Sequence, residues 1–129
     1  MNELFKDADI ISAYTRADAL EDGVLADVSD LAREAGFRAP VAVTSAVFDI
    51  LDPSEELKNE GQDVKGRIWD MLTILLWEIK KAKDSDAIYF APLFVLKPNF
   101  RSEPVKMWAK AGPGDNGELV ITVMMENED

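Results

Sequence analysis

Apolar residues recur with a helical period over one stretch, Gln62 to Lys83, and the rest of the chain is arranged around it. Val64, Ile68, Met71, Leu72, Leu75, Ile79 and Ala82 fall at the i, i+4, i+7, i+8 spacing that forms one stripe. Asp63 is placed to cap the start, and Lys80, Lys81 and Lys83 suit the negative end of the helix dipole. Burying that stripe contributes on the order of 10 kcal/mol before conformational entropy is charged. At about 100° per residue, Trp69, Thr73, Leu76 and Trp77 lie on a neighbouring face, with Trp77 nearly opposite Ile68. The apolar surface therefore exceeds what one buried side requires. Trp69, Leu76 and Trp77 form a candidate partner interface; the plainer alternative is that loops or the N-terminal region cover them.

Before this helix the pattern is short and broken. Asp9 to Tyr14 reads as a short strand. Thr15-Arg16-Ala17-Asp18 has the form of a capping box with Asp in place of the usual Glu, so Ala17 to Asp22 is expected to be helical and to end at Gly23. Val24 to Val28 reads as a strand. Asp30 to Ala35 reads as a helix capped by Ser29 or Asp27 and stopped by Gly36. Pro40 to Val43 is an apolar run, and Thr44 is placed to cap a helix over Ser45 to Leu51. Asp52-Pro53-Ser54 is a turn, and the charged Glu55 to Gly61 is a linker or a frayed helical turn.

After the helix the period changes to two. Ala87 to Lys97 is apolar on both faces, as in a covered strand, with Pro92 signalling a bulge or an edge. Lys97 to Ser102 is a turn. In Glu103 to Ala111, Val105, Met107 and Ala109 alternate with Lys106, Trp108 and Lys110. Gly112 to Gly117 is a second turn, and Glu118 to Met125 places Leu119, Ile121, Val123 and Met125 together. The expected fold is α+β: a C-terminal three-stranded antiparallel meander packed on one long amphipathic helix, with an N-terminal lobe of short helices and strands. The expected organisation is a single domain over 1–129: a lobe at 1–61, the helix at 62–83, strands over 87–125 and a solvated acidic tail at 126–129.

Composition narrows the chemistry. The chain has 129 residues, no cysteine and no histidine. That removes disulfides, thiolate metal sites, thiol nucleophiles, histidine general bases and nearly all transition-metal sites, so no cofactor and no metal is expected. An enzyme would have to work with Asp, Glu, Tyr, Lys or Arg, and the balance tips away from one. The net charge of −11 disfavours direct contact with nucleic acid or an anionic membrane and permits a basic protein partner or self-association. No apolar run has spanning length and the N-terminus lacks a signal-peptide pattern, so the expected location is the cytoplasm.

Four constellations carry candidate chemistry. Tyr14, Arg16, Asp18, Asp22 and Asp27 set an arginine among carboxylates, a combination that binds an anionic ligand or positions a carboxylate; the structural alternative is a cap and an ion pair. The Gly112–Gly117 loop precedes a strand rather than a helix, so it reads as a hairpin turn and not a phosphate cradle. The acids Asp18, Glu21, Asp22, Asp27, Asp30 and Glu34 lack calcium-loop spacing and read as solvated helix faces. Lys106, Trp108 and Lys110 have the form of a small stacking platform for nucleic acid, which the overall charge opposes; Trp108 is expected to pack under another element.

The stretch Ala13-Tyr14-Thr15-Arg16-Ala17-Asp18, with Glu21 to Ser29, Ala32 to Phe37 and Pro40 to Thr44, resembles a family of uncharacterised bacterial proteins carried by phages, plasmids and other mobile elements. Gly112-Pro113-Gly114-Asp115 followed by Val120 to Met124 agrees with it at the other end. The resemblance covers most of the chain and implies a mobile-element setting, but no catalytic residue. The sequence departs from the family pattern at Phe48 and Lys110-Ala111, where tryptophan and Ala-Cys-like residues are usual, which argues against an essential role there. The favoured reading is a small non-enzymatic interaction protein binding a host or element-encoded protein. The alternative is an enzyme or ligand-binding domain around Tyr14 and Arg16.

Overall fold

The computed structural model describes residues 14–82 and 85–128. The expected strand at Asp9 to Tyr14 lies outside these, except for Tyr14 itself. In chain order the elements are α1 (Arg16–Asp22), β1 (Leu25–Asp27), α2 (Ser29–Ala35), β2 (Val41–Thr44), α3 (Ser45–Leu51), α4 (Glu55–Asn59), α5 (Val64–Lys81), β3 (Ala87–Phe90), β4 (Leu93–Phe94), β5 (Glu103–Pro104), β6 (Met107–Pro113) and β7 (Leu119–Met125). The fold is a mixed α+β arrangement with a five-stranded sheet.

The sheet order is β1-β2-β7-β6-β3, and β4 and β5 form a separate two-stranded ribbon. This corrects the expected three-stranded meander. β6 pairs antiparallel with both β7 and β3, but β7 continues into a parallel pairing with β2, and β2 pairs antiparallel with β1. The N-terminal elements are thus not a lobe beside the sheet; they supply two of its strands. The reason is in the side chains of β2. Val41, Ala42 and Val43 are all buried, as in a strand covered on both faces and flanked on both edges. Ala87 to Lys97 is likewise not one covered strand. Buried Pro92 separates edge strand β3 from β4, because a residue without an N–H cannot continue the ladder. Tyr89 and Leu93 are correspondingly exposed.

The core lies on one face of the sheet, under α2, α3 and α5. Ala32, Val47, Leu51, Ile68, Met71, Leu72 and Leu75 meet Val43, Phe90, Met107, Ala109, Ile121 and Val123. The helix ends follow local chemistry. Thr15 Oγ1 accepts from Asp18 N–H at 3.0 Å while the Asp18 carboxylate accepts from Thr15 N–H, a complete capping box. Thr44 and Ser54 cap α3 and α4, so Glu55 to Gly61 contains an ordered helix with Leu57 buried. Asp63 caps α5 by accepting from Gly66 N–H at 2.6 Å. A Cβ on Gly66 would stand 2.7 Å from that carboxylate oxygen, so glycine leaves room for the cap. For α2 the cap position is Val28, which has no side-chain bond; Asp27 instead accepts from Ser29 N–H at 3.1 Å, and Ser29 Oγ accepts from Val41 N–H. No described helix is long and apolar enough to cross a membrane.

Candidate functional site

The Arg16 neighbourhood is built where α1 meets β7 and the β6–β7 turn. Arg16 opens α1, and its side chain runs onto the sheet. Its guanidinium donates to Thr122 Oγ1 at 2.6 Å and to the Ile121 carbonyl at 2.9 Å. Thr122 points away from the Ile121–Val123 core face by the two-residue alternation of a strand, so Arg16 pins α1 to the opposite side of the sheet. Partial burial lowers the Arg16 pKa, and Asp27, Asp115 and Glu118 oppose that shift.

The turn between β6 and β7 reaches the same place. Both oxygens of Asp115 accept from the first amides of α1, Arg16 N–H at 2.8 Å and Ala17 N–H at 3.0 Å. The glycine-rich turn does not cradle an anion; it supplies one to a helix N-terminus. Those two bonds hold the Asp115 carboxyl below the ordinary aspartate value. A lowered folded-state pKa means the contact is fully formed above the ordinary value and is lost as pH falls through the lowered one. In a pH titration by NMR, the Arg16 and Ala17 amide resonances are expected to move together, with a midpoint below about 3.9. Asp115→Asn should abolish that titration. Two amides that titrate independently, or at the ordinary aspartate value, would refute the contact.

The remaining candidates are used locally. Tyr14 Oη donates to Asp22 Oδ2 at 2.7 Å, and that bond is the largest cause of a phenol pKa pushed up to about 12. Asp18 belongs to the capping box, and Asp27 is bound by Ser29. Arg16 and Asp27 do line one shallow cleft of about 260 Å³, together with Asp115 and Glu118. Tyr14, Asp18 and Asp22 do not line it. Sequence reasoning missed Asp115 and Glu118; the partners of Asp115 lie about a hundred residues earlier in the chain, and Glu118, whose carboxylate accepts from Asn116 N–H, reaches the cleft only through the same turn. No cluster of metal-binding side chains occurs among the described residues.

On α5 the expected partner face separates into two parts. Trp77 is 67% exposed and Trp69 39%, with Ile74 exposed beside them. Leu76 is half-buried, its Cδ2 3.2 Å from where a Cβ on Gly36 would stand. At one edge of the buried stripe of the same helix the structure holds a residue that sequence reasoning did not single out. Arg67 is 4% exposed and has no carboxylate partner among the described residues. It donates to the carbonyls of Ile50, at 2.7 Å, and Val95, reaches Gln62 Oε1, and lies over the Phe94 ring at 5.4 Å. Desolvation lowers its pKa.

Trp108 packs as an element of the sheet surface. It stacks on Tyr89 with ring centroids 5.9 Å apart and donates its indole N–H to the Glu128 carbonyl. Glu128 folds back as well: its carboxylate accepts from Met125 N–H and Thr44 Oγ1, each at 2.7 Å. Glu128 is therefore held against the sheet, while Glu126 and Asn127 before it are exposed.

Comparison with curated proteins finds no match, and comparison with solved structures finds none. The model of a family of unknown function, DUF6573, matches residues 1–129, and the chain belongs to that family.

Proposed function

We propose that this chain is a small acidic interaction protein, acting by docking a protein partner on the outward face of α5 and not by catalysis. The observation that carries the reading is Trp77, a large apolar side chain left two-thirds exposed on a helix whose other faces are packed. Tryptophan is enriched among residues that dominate binding energy, and exposing it without a partner forfeits its apolar burial. Trp69 and Ile74 extend the patch. The net charge of −11 speaks against nucleic acid or an anionic membrane as the partner. The resemblance to proteins of phages and plasmids supports a target made by the host or by a mobile element. The rival ligand pocket at Arg16 is weakened because its guanidinium and the nearby Asp115 spend their bonds inside the chain.

Trp77→Ala is the test. Truncating an interface tryptophan is expected to weaken the complex by roughly 2 kcal/mol or more, about thirtyfold in dissociation constant. The tagged wild-type chain should hold a stoichiometric partner, a second copy of itself included, that the Trp77→Ala chain loses at unchanged melting temperature. Equal capture by both chains would sink the proposal.

A further inference from the structure

The outward face of α5 carries an order of side chains that identifies its occupant. Asp70, Ile74, Trp77 and Lys81 are all exposed and stand at i, i+4, i+7 and i+11. That is a heptad seam, the spacing with which one helix meets another. Along it the chemistry runs acidic, apolar, apolar, basic. Turned end for end, the same stripe reads basic, apolar, apolar, acidic. A stripe of this kind is complementary to itself when two copies run antiparallel, and only then; parallel pairing would set Asp70 on Asp70 and Lys81 on Lys81.

We propose that α5 pairs antiparallel with α5 of a second copy, about a two-fold axis passing between positions 75 and 76. This rests on the reading of the α5 face as a protein-docking surface and names its partner. In this register Asp70 meets the second copy's Lys81 and Ile74 meets its Trp77, each contact occurring twice, as an isologous interface requires. Lys81 already bonds Glu78 of its own helix at 3.1 Å, an exposed pair that leaves it free to be shared. Charge also permits this surface: in a chain of net −11, α5 exposes three lysines, Lys65, Lys80 and Lys81, against Asp70 and the half-buried Glu78, so the helix itself adds no net negative charge to the approach of two acidic molecules. The helix has 18 residues, about 27 Å of length, and one such pair buries less than the roughly 800 Å² per partner of a standard interface. The dimer is accordingly weak, with a dissociation constant on the order of 10 μM.

Sedimentation equilibrium of the full chain over a range of concentrations tests this. Asp70→Lys and Lys81→Asp should each weaken the dimer by about tenfold or more, because each turns two attractions into two repulsions. Combining them should restore it to within about threefold. The chain has no cysteine, so a geometric test is clean. Positions 70 and 81 are about 16 Å apart along one helix, too far for a disulfide within a chain. Asp70→Cys with Lys81→Cys should therefore oxidise to a covalent dimer, and neither single substitution should. A dimer lost in Trp77→Ala but indifferent to charge reversal and to the cysteine pair overturns this register and leaves the docking face standing. A chain that stays monomeric at every concentration overturns self-pairing, and the docking face then rests on a Trp77-dependent complex with a different protein. A dimer that survives Trp77→Ala overturns both.

Discussion

Arg67→Ala is expected to lower the unfolding free energy by about 3–5 kcal/mol, a large share of the roughly 5–15 kcal/mol that a domain of this size possesses. The guanidinium joins three parts of the chain that share no ladder: α5 itself, the Ile50 carbonyl near the end of α3, and the Val95 carbonyl just after β4. Removing it opens a cavity beside Phe94 and takes the donor from two part-buried carbonyls. Each unpaired group costs about 1–3 kcal/mol. Arg67→Met separates the two terms, since it keeps the apolar stem against Phe94 and loses only the bonds; its loss should be smaller than that of alanine. Arg67→Lys keeps the charge but offers one nitrogen where the fork offered three, and it should fall between wild type and alanine. Equilibrium unfolding in urea, followed by the three tryptophans, reads all three. A loss under about 1 kcal/mol for Arg67→Ala would mean that the fork contributes nothing net and that only packing holds these segments together.

Arg67 also shows where sequence reasoning stops. The α5 stripe is readable because its period is set by residues a few positions apart, and the observed bounds fall within two residues of the expected ones. The caps at Thr15, Thr44 and Asp63 and the left-handed glycines at 23 and 36 are equally local, and each lies where residue chemistry puts it. Arg67 sits at the edge of the stripe on the helical wheel, where a charged residue ordinarily reaches water. Only the approach of α3 and the segment after β4 turns that edge into an interior. The sheet order fails to show for the same reason. Val41 to Val43 is a covered apolar run in the sequence, but its neighbour, Ile121 to Val123, lies some eighty residues away, and no period encodes which strand it joins. The Arg16 cluster divides along this line too: the Thr15–Asp18 box is local and legible, whereas Asp115 reaches α1 from the far end of the chain.

Two glycines of the same apparent kind should respond very differently to alanine. Gly23 and Gly36 each end a helix in the left-handed region, at φ 78° and 117°. In each, the next residue's N–H closes the turn: Val24 donates to Ala19, and Phe37 to Ala32, both at 2.9 Å. An added Cβ on Gly23 meets nothing within 4 Å, so Gly23→Ala should cost only the backbone term, about 1 kcal/mol. At Gly36 the backbone is further from what an L-residue adopts, and the new Cβ would stand 3.2 Å from Leu76 Cδ2 on α5. Strain and contact together should cost about 3 kcal/mol, because Leu76 cannot withdraw without disturbing the packing of α2 on α5. The two terms separate in a double-mutant cycle. Leu76→Ala removes the close contact and leaves the strained φ, so Gly36→Ala in that background should cost about 1 kcal/mol less than in the wild type. Additive losses would mean that the penalty at Gly36 is wholly backbone strain. In that case Leu76 is not the wall that makes this position glycine, and its side chain regains the freedom to turn outward with Trp69 and Trp77.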